Sequence, residues 1–186
     1  DNKFPVIIGG NHTVSIGAFK AFSENFKNLS VLQLDAHADL RQVYEGSEYN
    51  HACTMARARE FAPVVQVGIR SMSAEELPYY EKDRMFFSHE LYYNKDLYNT
   101  ALDKLSENVY ITIDLDVFDP SLIPSTGTPE PGGPEYLELL HFLRDVINSR
   151  NVVGFDVVEL CPSSTNKAPD FVASKIIYQL LSYRFI

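Results

Sequence analysis

The segment 35–39, Asp-Ala-His-Ala-Asp, places a carboxylate or an imidazole at every second position. It directly follows the apolar run Val31-Leu32-Gln33-Leu34, which predicts a buried strand. Because alternate side chains of an extended segment point to the same side, we expect Asp35, His37 and Asp39 to meet at the end of this strand. A fold that accepts this segment must bring two carboxylates and an imidazole together.

A second segment repeats half of this pattern, since Ile111-Thr112-Ile113 leads into Asp114 and Asp116. Five acidic or imidazole groups at the ends of two buried strands are costly unless a cation lies among them. Carboxylates with some imidazole suit Mn²⁺ better than a structural zinc site, which favours thiolates. The two segments together predict a two-metal centre of the kind that activates water for hydrolysis.

The composition indicates a folded domain with little affinity for polyanions. The chain has 186 residues, of which 45% are hydrophobic, enough for a sizeable core. Its formal net charge of −9 argues against nucleic acid or an anionic membrane as a partner and is compatible with a cationic substrate. Cys53 and Cys161 form no disulfide pattern, and no apolar run approaches membrane-spanning length, so we expect a cytoplasmic protein.

Apolar strands alternate with helical segments along the whole chain. The predicted strands are 4–8, 29–35, 64–69, 85–87, 109–114 and 152–158, and the predicted helices are 13–23, 52–61, 74–80, 96–105, 134–148 and 169–182. This alternation is typical of α/β proteins, in which a mostly parallel sheet is covered by helices on both faces. No linker, repeat or low-complexity tract interrupts the sequence, which favours a single domain over 1–186.

Polar side chains occur where the predicted strands end. His12, Asp35, Asp114 and Glu159 each lie at or just beyond the C-terminal end of a different strand. In open α/β sheets this edge holds the ligand crevice. Four strands that each end near an acidic or imidazole side chain at the same edge of the sheet indicate a functional site there.

Five blocks of the sequence, in order along the chain, resemble the motifs of the ureohydrolases, the family that includes arginase, agmatinase and guanidinobutyrase. The blocks are GGNHT at 9–13, DAHADLR at 35–41, NHACTMARA at 50–58, DLDVFDPSLIPSTGTPEPGG at 114–133 and FDVVELCP at 155–162. The resemblance implies an arginase-like three-layer α/β/α sandwich and a single catalytic domain from which the family's N-terminal portion is missing. It also implies a homo-oligomer, a trimer or a hexamer.

The resemblance further implies two Mn²⁺ ions per subunit and a role for each site residue. By motif position, one metal would be bound by His12, Asp35, Asp39 and Asp114, and the other by Asp35, His37, Asp114 and Asp116. Asp35 and Asp114 would bridge the two ions. His51 would take part in proton transfer, Asp39 would pass a proton to the leaving amine, and Glu159 would pair with the guanidinium group of the substrate.

The implied activity is hydrolysis of a small cationic guanidino compound to urea and an amine. Agmatine is the favoured substrate, with putrescine as the product and polyamine biosynthesis as the setting. The loop 40–49 resembles that of agmatinases, and Ser71-Met72-Ser73 lacks the aspartates that arginases place there for an α-amino group. Glu45 and Glu48 could attract the free amine of agmatine. Arg41 leaves the choice open, since it would favour a carboxylate, as in 4-guanidinobutyrate, only if it faces the pocket.

Several alternatives stay open beside agmatinase. The closest are a guanidinobutyrase and an aminopropylagmatine ureohydrolase. Binuclear phosphoesterases also use GNH and DxH motifs, but in the reverse order along the chain. A metal-binding homologue without catalytic activity is the third class, although every expected ligand is present. Asn11 replaces the acidic residue that the family usually has in GGDH, and this position is more typical of a residue behind the ligands than of a ligand.

Overall fold

A single parallel sheet forms the centre of the computed structural model, which describes residues 3–186. Its six strands are β1 (Val6–Ile8), β2 (Leu29–Leu34), β3 (Val64–Ile69), β4 (Met85–Phe87), β5 (Asn108–Asp114) and β6 (Asn151–Val158). Their order across the sheet is β1-β6-β5-β2-β3-β4, and every neighbouring pair is parallel. The predicted parallel α/β fold is therefore confirmed.

Helices cover both faces of this sheet. They are α1 (Ser15–Asn25), α2 (Thr54–Ala58), α3 (Ser88–Tyr93), α4 (Asp96–Asp103), α5 (Tyr136–Ser149) and α6 (Ala168–Phe185), with short 3₁₀ turns at His12–Val14, His51–Cys53, Ala74–Tyr79 and Leu115–Val117. Apolar residues of α1 and α2 pack against one face, around Val31 and Tyr110. Residues of α3 to α6 pack against the other, around Leu32 and Ile111. This is the expected three-layer α/β/α arrangement.

The structure differs from the sequence-based elements in two places. Residues 52–61 were expected to form one helix, but they form a 3₁₀ turn at His51–Cys53, the short helix α2 and an irregular end. Helix α3 has no counterpart among the predicted elements, because its six residues are too few to show helical periodicity. Within residues 3–186, no helix combines the length and the apolar character needed to cross a membrane.

The strand register brings the polar strand ends side by side. Leu34 of β2 pairs with Ile113 of β5, so Asp35 and Asp114 are the next residues on adjacent strands. Asp114 in turn pairs with Val158 of β6, the residue before Glu159. The chain turns from β2 toward β3 on one side and from β5 toward β6 on the other, so the sheet's topological switch point lies between β2 and β5. The carboxylates therefore occupy the crevice that this topology leaves open.

A close backbone approach fixes the loop after β5. A Cβ atom at Gly133 would lie 2.5 Å from the carbonyl oxygen of Val117 and 2.6 Å from the carbonyl carbon of Phe118. Both distances are shorter than a carbon atom can tolerate, and the obstructing atoms are backbone that cannot move aside independently. Gly133 therefore allows the loop to pack against the segment that carries Asp116.

We expect Gly133→Ala to lower the free energy of unfolding by about 1–3 kcal/mol, because the added methyl group overpacks this contact. Gly17→Ala is the matched control, since Gly17 lies exposed inside α1 with no atom within 4 Å of an added Cβ. That change should stabilise the protein by about 0.5–1 kcal/mol. Urea unfolding curves of both variants test this, and equal stabilities would show that the loop does not depend on the contact.

Candidate metal centre

The first donor group surrounds one ring nitrogen of His12. Its Nδ1 atom lies 3.3 Å from Asp35 Oδ2, 3.2 Å from Asp39 Oδ2 and 3.5 Å from Asp114 Oδ2. The donor atoms of His12, Asp35 and Asp39 lie close enough together to surround one ion. All of these residues are buried, so the carboxylates have little water to solvate their charge.

The second donor group surrounds His37. Its Nδ1 atom lies 2.9 Å from Asp116 Oδ2 and 3.6 Å from Asp35 Oδ1. Asp35 thus presents Oδ2 to the first group and Oδ1 to the second. A carboxylate with one oxygen in each of two donor groups has the arrangement of a bridging ligand.

The hydrogen bonds of His12 show that these residues fit a bound cation. Thr112 Oγ1 donates to Asp156 Oδ1 at 2.6 Å and lies 2.9 Å from His12 Nε2. Because the hydroxyl has one hydrogen, Nε2 of His12 donates to Thr112, and Nδ1 of the neutral ring carries a lone pair. Nδ1 is buried and has no hydrogen-bond partner among residues 3–186, although three carboxylate oxygens surround it. A lone pair among anions is stabilised by a positive charge placed between them.

The pKa values of these residues reflect the same crowding. Burial, reinforced by the charge of Asp35, raises the pKa of Asp39 to about 7 and that of Asp114 well above its usual range. Burial would lower the pKa of His37, but hydrogen bonds to Asp116 and Asp35 outweigh it and raise the pKa to about 11. The cluster therefore holds positive charge strongly, as protons or as metal ions, and metal binding must release protons.

Two of the site residues have left-handed backbone conformations. Asp39 has φ of 54° and Glu159 has φ of 63°, a region that non-glycine residues enter at a cost of about 1–2 kcal/mol. β2 ends at Leu34, although His37 still forms a parallel bridge with Ser71. The expectation that the extended segment continues to residue 39 is wrong at Asp39. The Asp39 carbonyl oxygen instead accepts the backbone N–H groups of Met55 and Ala56 at the start of α2. Asp39 therefore joins Asp35 and His37 through this turn rather than through strand alternation.

A row of buried polar side chains lies across the sheet behind the donor groups. Gln66, Gln33, Thr112 and Asp156 pair in register on β3, β2, β5 and β6. Gln33 Nε2 donates to Asp35 Oδ2 at 2.7 Å, and Gln66 Nε2 donates to Gln33 Oε1 at 2.5 Å. Asp156 accepts from Thr112 and from the Tyr110 hydroxyl at 2.9 Å. The row thus fixes the orientation of Asp35 and His12 from behind.

The sequence analysis missed this polar row, although the sequence contains a signal for it. Three of the four row residues interrupt otherwise apolar strands with a side chain that needs hydrogen bonds, and Asp156 is an acid inside such a strand. Arg70 was also missed. Its guanidinium group donates to the carbonyl oxygens of Gly68, Asp116, Val117, Phe118 and Glu130. It thereby ties the loop that carries Asp116 to the loop around Glu130.

A cavity of about 360 Å³ opens above the donor groups. His12, His37, Asp39 and Asp114 lie in its wall, together with the other predicted catalytic residues, His51 and Glu159. Glu159 Oε1 accepts the backbone N–H of His12 at 2.6 Å. A larger groove of about 610 Å³ lies elsewhere, around Lys27 and Phe61, but it contains none of the donor residues. The donor groups therefore border the smaller cavity.

Asn11 and Glu48 both lie outside the donor groups, but Asn11 lines the cavity and Glu48 does not. Asn11 accepts the backbone N–H of Thr13 at 3.2 Å, and its Nδ2 lies 3.3 Å from His51 Nδ1, so it borders the cavity rather than either donor group. Glu48 pairs with Arg57 at 3.3 Å and does not line the cavity. This geometry does not support the suggested attraction of a substrate amine by Glu48.

Two carboxylate–imidazole groups share Asp35 at the carboxyl edge of the parallel sheet. The fold and the site together define an α/β protein with a candidate binuclear metal centre. A sequence model described as the arginase family matches residues 1–182. The chain belongs to the arginase family.

Similar proteins agree with this assignment. The chain is 36% identical to an N(1)-aminopropylagmatine ureohydrolase of Synechocystis sp., with 98% of this chain and 61% of that protein covered. It is 34% identical to an agmatinase of Pyrococcus horikoshii, with 95% and 62% covered. The crystal structure of agmatine ureohydrolase of Thermoplasma volcanium superposes with a TM-score of 0.86 at 32% identity, with 98% and 62% covered. The chain thus spans about three fifths of the length of these relatives.

We expect Thr112→Val to weaken Mn²⁺ binding by about 10–100-fold, because His12 Nε2 would lose the acceptor that orients its ring. Isothermal titration of the metal-stripped protein with Mn²⁺ measures this. Ser30→Ala is the control, since Ser30 is also buried in the sheet and its hydroxyl accepts a hydrogen bond from Ser106 N, away from the donor groups. Equal Mn²⁺ affinity in both variants would contradict the role of Thr112.

Proposed function

We propose that this chain carries the catalytic site of a binuclear-metal ureohydrolase, which cleaves a small cationic guanidino compound to urea and an amine. The observation that carries the proposal is the pair of donor groups that share Asp35, with His12, His37 and Asp39 of these groups in the wall of the cavity. Agmatine is the favoured substrate, and the relatives named as agmatinases support it. An aminopropyl-extended agmatine is the nearest alternative, supported by the Synechocystis relative.

The proposed metal ions are two Mn²⁺ per subunit. His12, Asp35, Asp39 and Asp114 would bind one, and Asp35, His37, Asp114 and Asp116 the other. When bound, these ions supply Lewis acidity and make a water molecule nucleophilic at neutral pH. Four carboxylates and two imidazoles form the oxygen-rich donor set that suits Mn²⁺. A homo-oligomeric assembly and a cytoplasmic location stay predictions.

The remaining residues would orient the substrate and move protons. Glu159 lies in the cavity wall beside the first donor group, where a carboxylate can accept paired N–H donors from a planar guanidinium. Asp39 belongs to the same group and is placed to pass a proton to the leaving amine. His51 lies in the wall of the same cavity and can exchange protons between the cavity and solvent.

We expect His37→Ala and Asp116→Ala to lose bound Mn²⁺ and nearly all urea release. Each variant lacks one of the two donors of the second group whose atoms lie 2.9 Å apart. Metal analysis and a urea assay on agmatine, 4-guanidinobutyrate and arginine, with Mn²⁺ supplied, measure both properties. His141→Ala, at an exposed position in α5, should change neither. Full turnover in either site variant would refute the site, and phosphoester hydrolysis without urea would favour a phosphoesterase.

We expect His51→Asn to lower kcat by about 100-fold or more while the bound Mn²⁺ stays unchanged, because His51 lies outside both donor groups and would act only on protons. Steady-state urea release and metal content of the same preparation give the two values. His89→Asn, an exposed histidine away from the cavity, serves as the comparison. A variant that keeps its turnover would show that His51 has no part in proton transfer.

A further inference from the structure

The wall of the catalytic cavity contains one strongly basic side chain. Among the described residues that line it, Arg41 is the one arginine, and there is no lysine. The carboxylates of Asp39, Asp114 and Glu159 lie in the wall of the same cavity. The far end of a bound guanidino compound extends away from the metal centre, so the charge that Arg41 presents there affects which compounds fit.

Three contacts hold Arg41 in place. Its backbone N–H donates to the Ala52 carbonyl oxygen at 3.1 Å, which ties it to the turn that begins at His51. Its Nη1 atom donates to Glu75 Oε2 at 2.9 Å. Its Cζ atom lies 4.9 Å from the centre of the Tyr44 ring, in a cation–π contact. The Tyr44 ring in turn meets the His51 ring edge-on, with 5.8 Å between the ring centres.

These contacts leave Arg41 in the wall with its charge already paired. Glu75 lies outside the cavity lining, and its side chain is 73% exposed, so it approaches the guanidinium from the solvent side. An unpaired guanidinium at this position would repel a cationic group and offer paired N–H donors to a carboxylate. The ion pair with Glu75 reduces that preference.

We propose that Arg41 is a specificity-determining residue and that Glu75 sets its effect. The Arg41–Glu75 pair keeps the rim close to neutral, so the cavity accepts guanidino compounds whose far end is a cation in preference to those that end in a carboxylate. This inference rests on the proposed function, because it assigns the substrate class within the same cavity. It also addresses the question that Arg41 raises in the sequence, since the residue lines the cavity with its charge paired to Glu75.

The expected size of the effect follows from the exposure of the pair. An ion pair with one solvent-exposed partner contributes little, and its loss shifts an equilibrium by about fivefold at most. The preference is therefore a matter of degree. We expect it in KM, because Arg41 belongs to neither donor group and would contact the substrate equally before and during the reaction.

Glu75→Gln in the Mn²⁺-loaded protein tests the proposal. We expect the ratio of kcat/KM for 4-guanidinobutyrate to that for agmatine to rise about three- to fivefold. The change should come from KM, with kcat unaltered. Glu48→Gln is the matched control, because it removes the same charge from an exposed glutamate that pairs with Arg57 and does not line the cavity. Its ratio should equal that of the unaltered protein. In Arg41→Gln/Glu75→Gln, the shift caused by Glu75→Gln should disappear.

The outcomes separate this inference from the proposed function. An unchanged ratio in Glu75→Gln, or a shift that persists in the double variant, overturns the role of Arg41 even if urea is released normally. If the unaltered protein releases no urea from either compound or from an aminopropyl-extended agmatine, the proposed function is wrong. The inference is then decided by calorimetric binding of 4-guanidinobutyrate and agmatine, in which Glu75→Gln should show the same change in ratio.

Discussion

The polar row formed by Gln66, Gln33, Thr112 and Asp156, hydrogen-bonded within the pairs Gln66–Gln33 and Thr112–Asp156, is the feature on which the site depends. These four side chains pair in register across four parallel strands, in a layer that would otherwise be apolar. Each is buried and must find a partner, so the row fixes strand register as well as side-chain orientation. One donor to Asp35 and the acceptor for His12 both come from this row. A shift of one strand by one residue would separate the row and scatter the carboxylates ahead of it.

Electrostatics explains why such a site can exist in a folded protein. Buried carboxylates repel one another, and burial raises the pKa of Asp39, Asp114 and Asp116. Imidazoles beside them act in the opposite direction and lower the pKa of Asp35 despite its complete burial. The result is a cluster that holds added positive charge strongly, as protons or as divalent cations. Membership of the arginase family agrees with this conclusion from the geometry.

The sequence predicted the parallel sheet and the convergence of the strand ends, because both follow from short-range patterns. Apolar runs separated by helical periodicity fix an α/β fold, and His12, Asp35, Asp114 and Glu159 stand where the strands end. The features that the sequence did not predict depend on contacts between segments that are distant along the chain. Asp39 reaches the site through a left-handed turn fixed by the start of α2, and Arg70 joins carbonyl groups of two remote loops. Neither arrangement has a local signature.

Anomalous diffraction from crystals grown with Mn²⁺ tests most directly whether one pair of ions shares Asp35. Our account predicts two anomalous peaks per chain, one bordered by His12 and Asp39 and the other by His37 and Asp116, with Asp35 between them. A single peak remote from Asp35, or Mn²⁺ bound only at surface carboxylates while these side chains bond to one another, would contradict it.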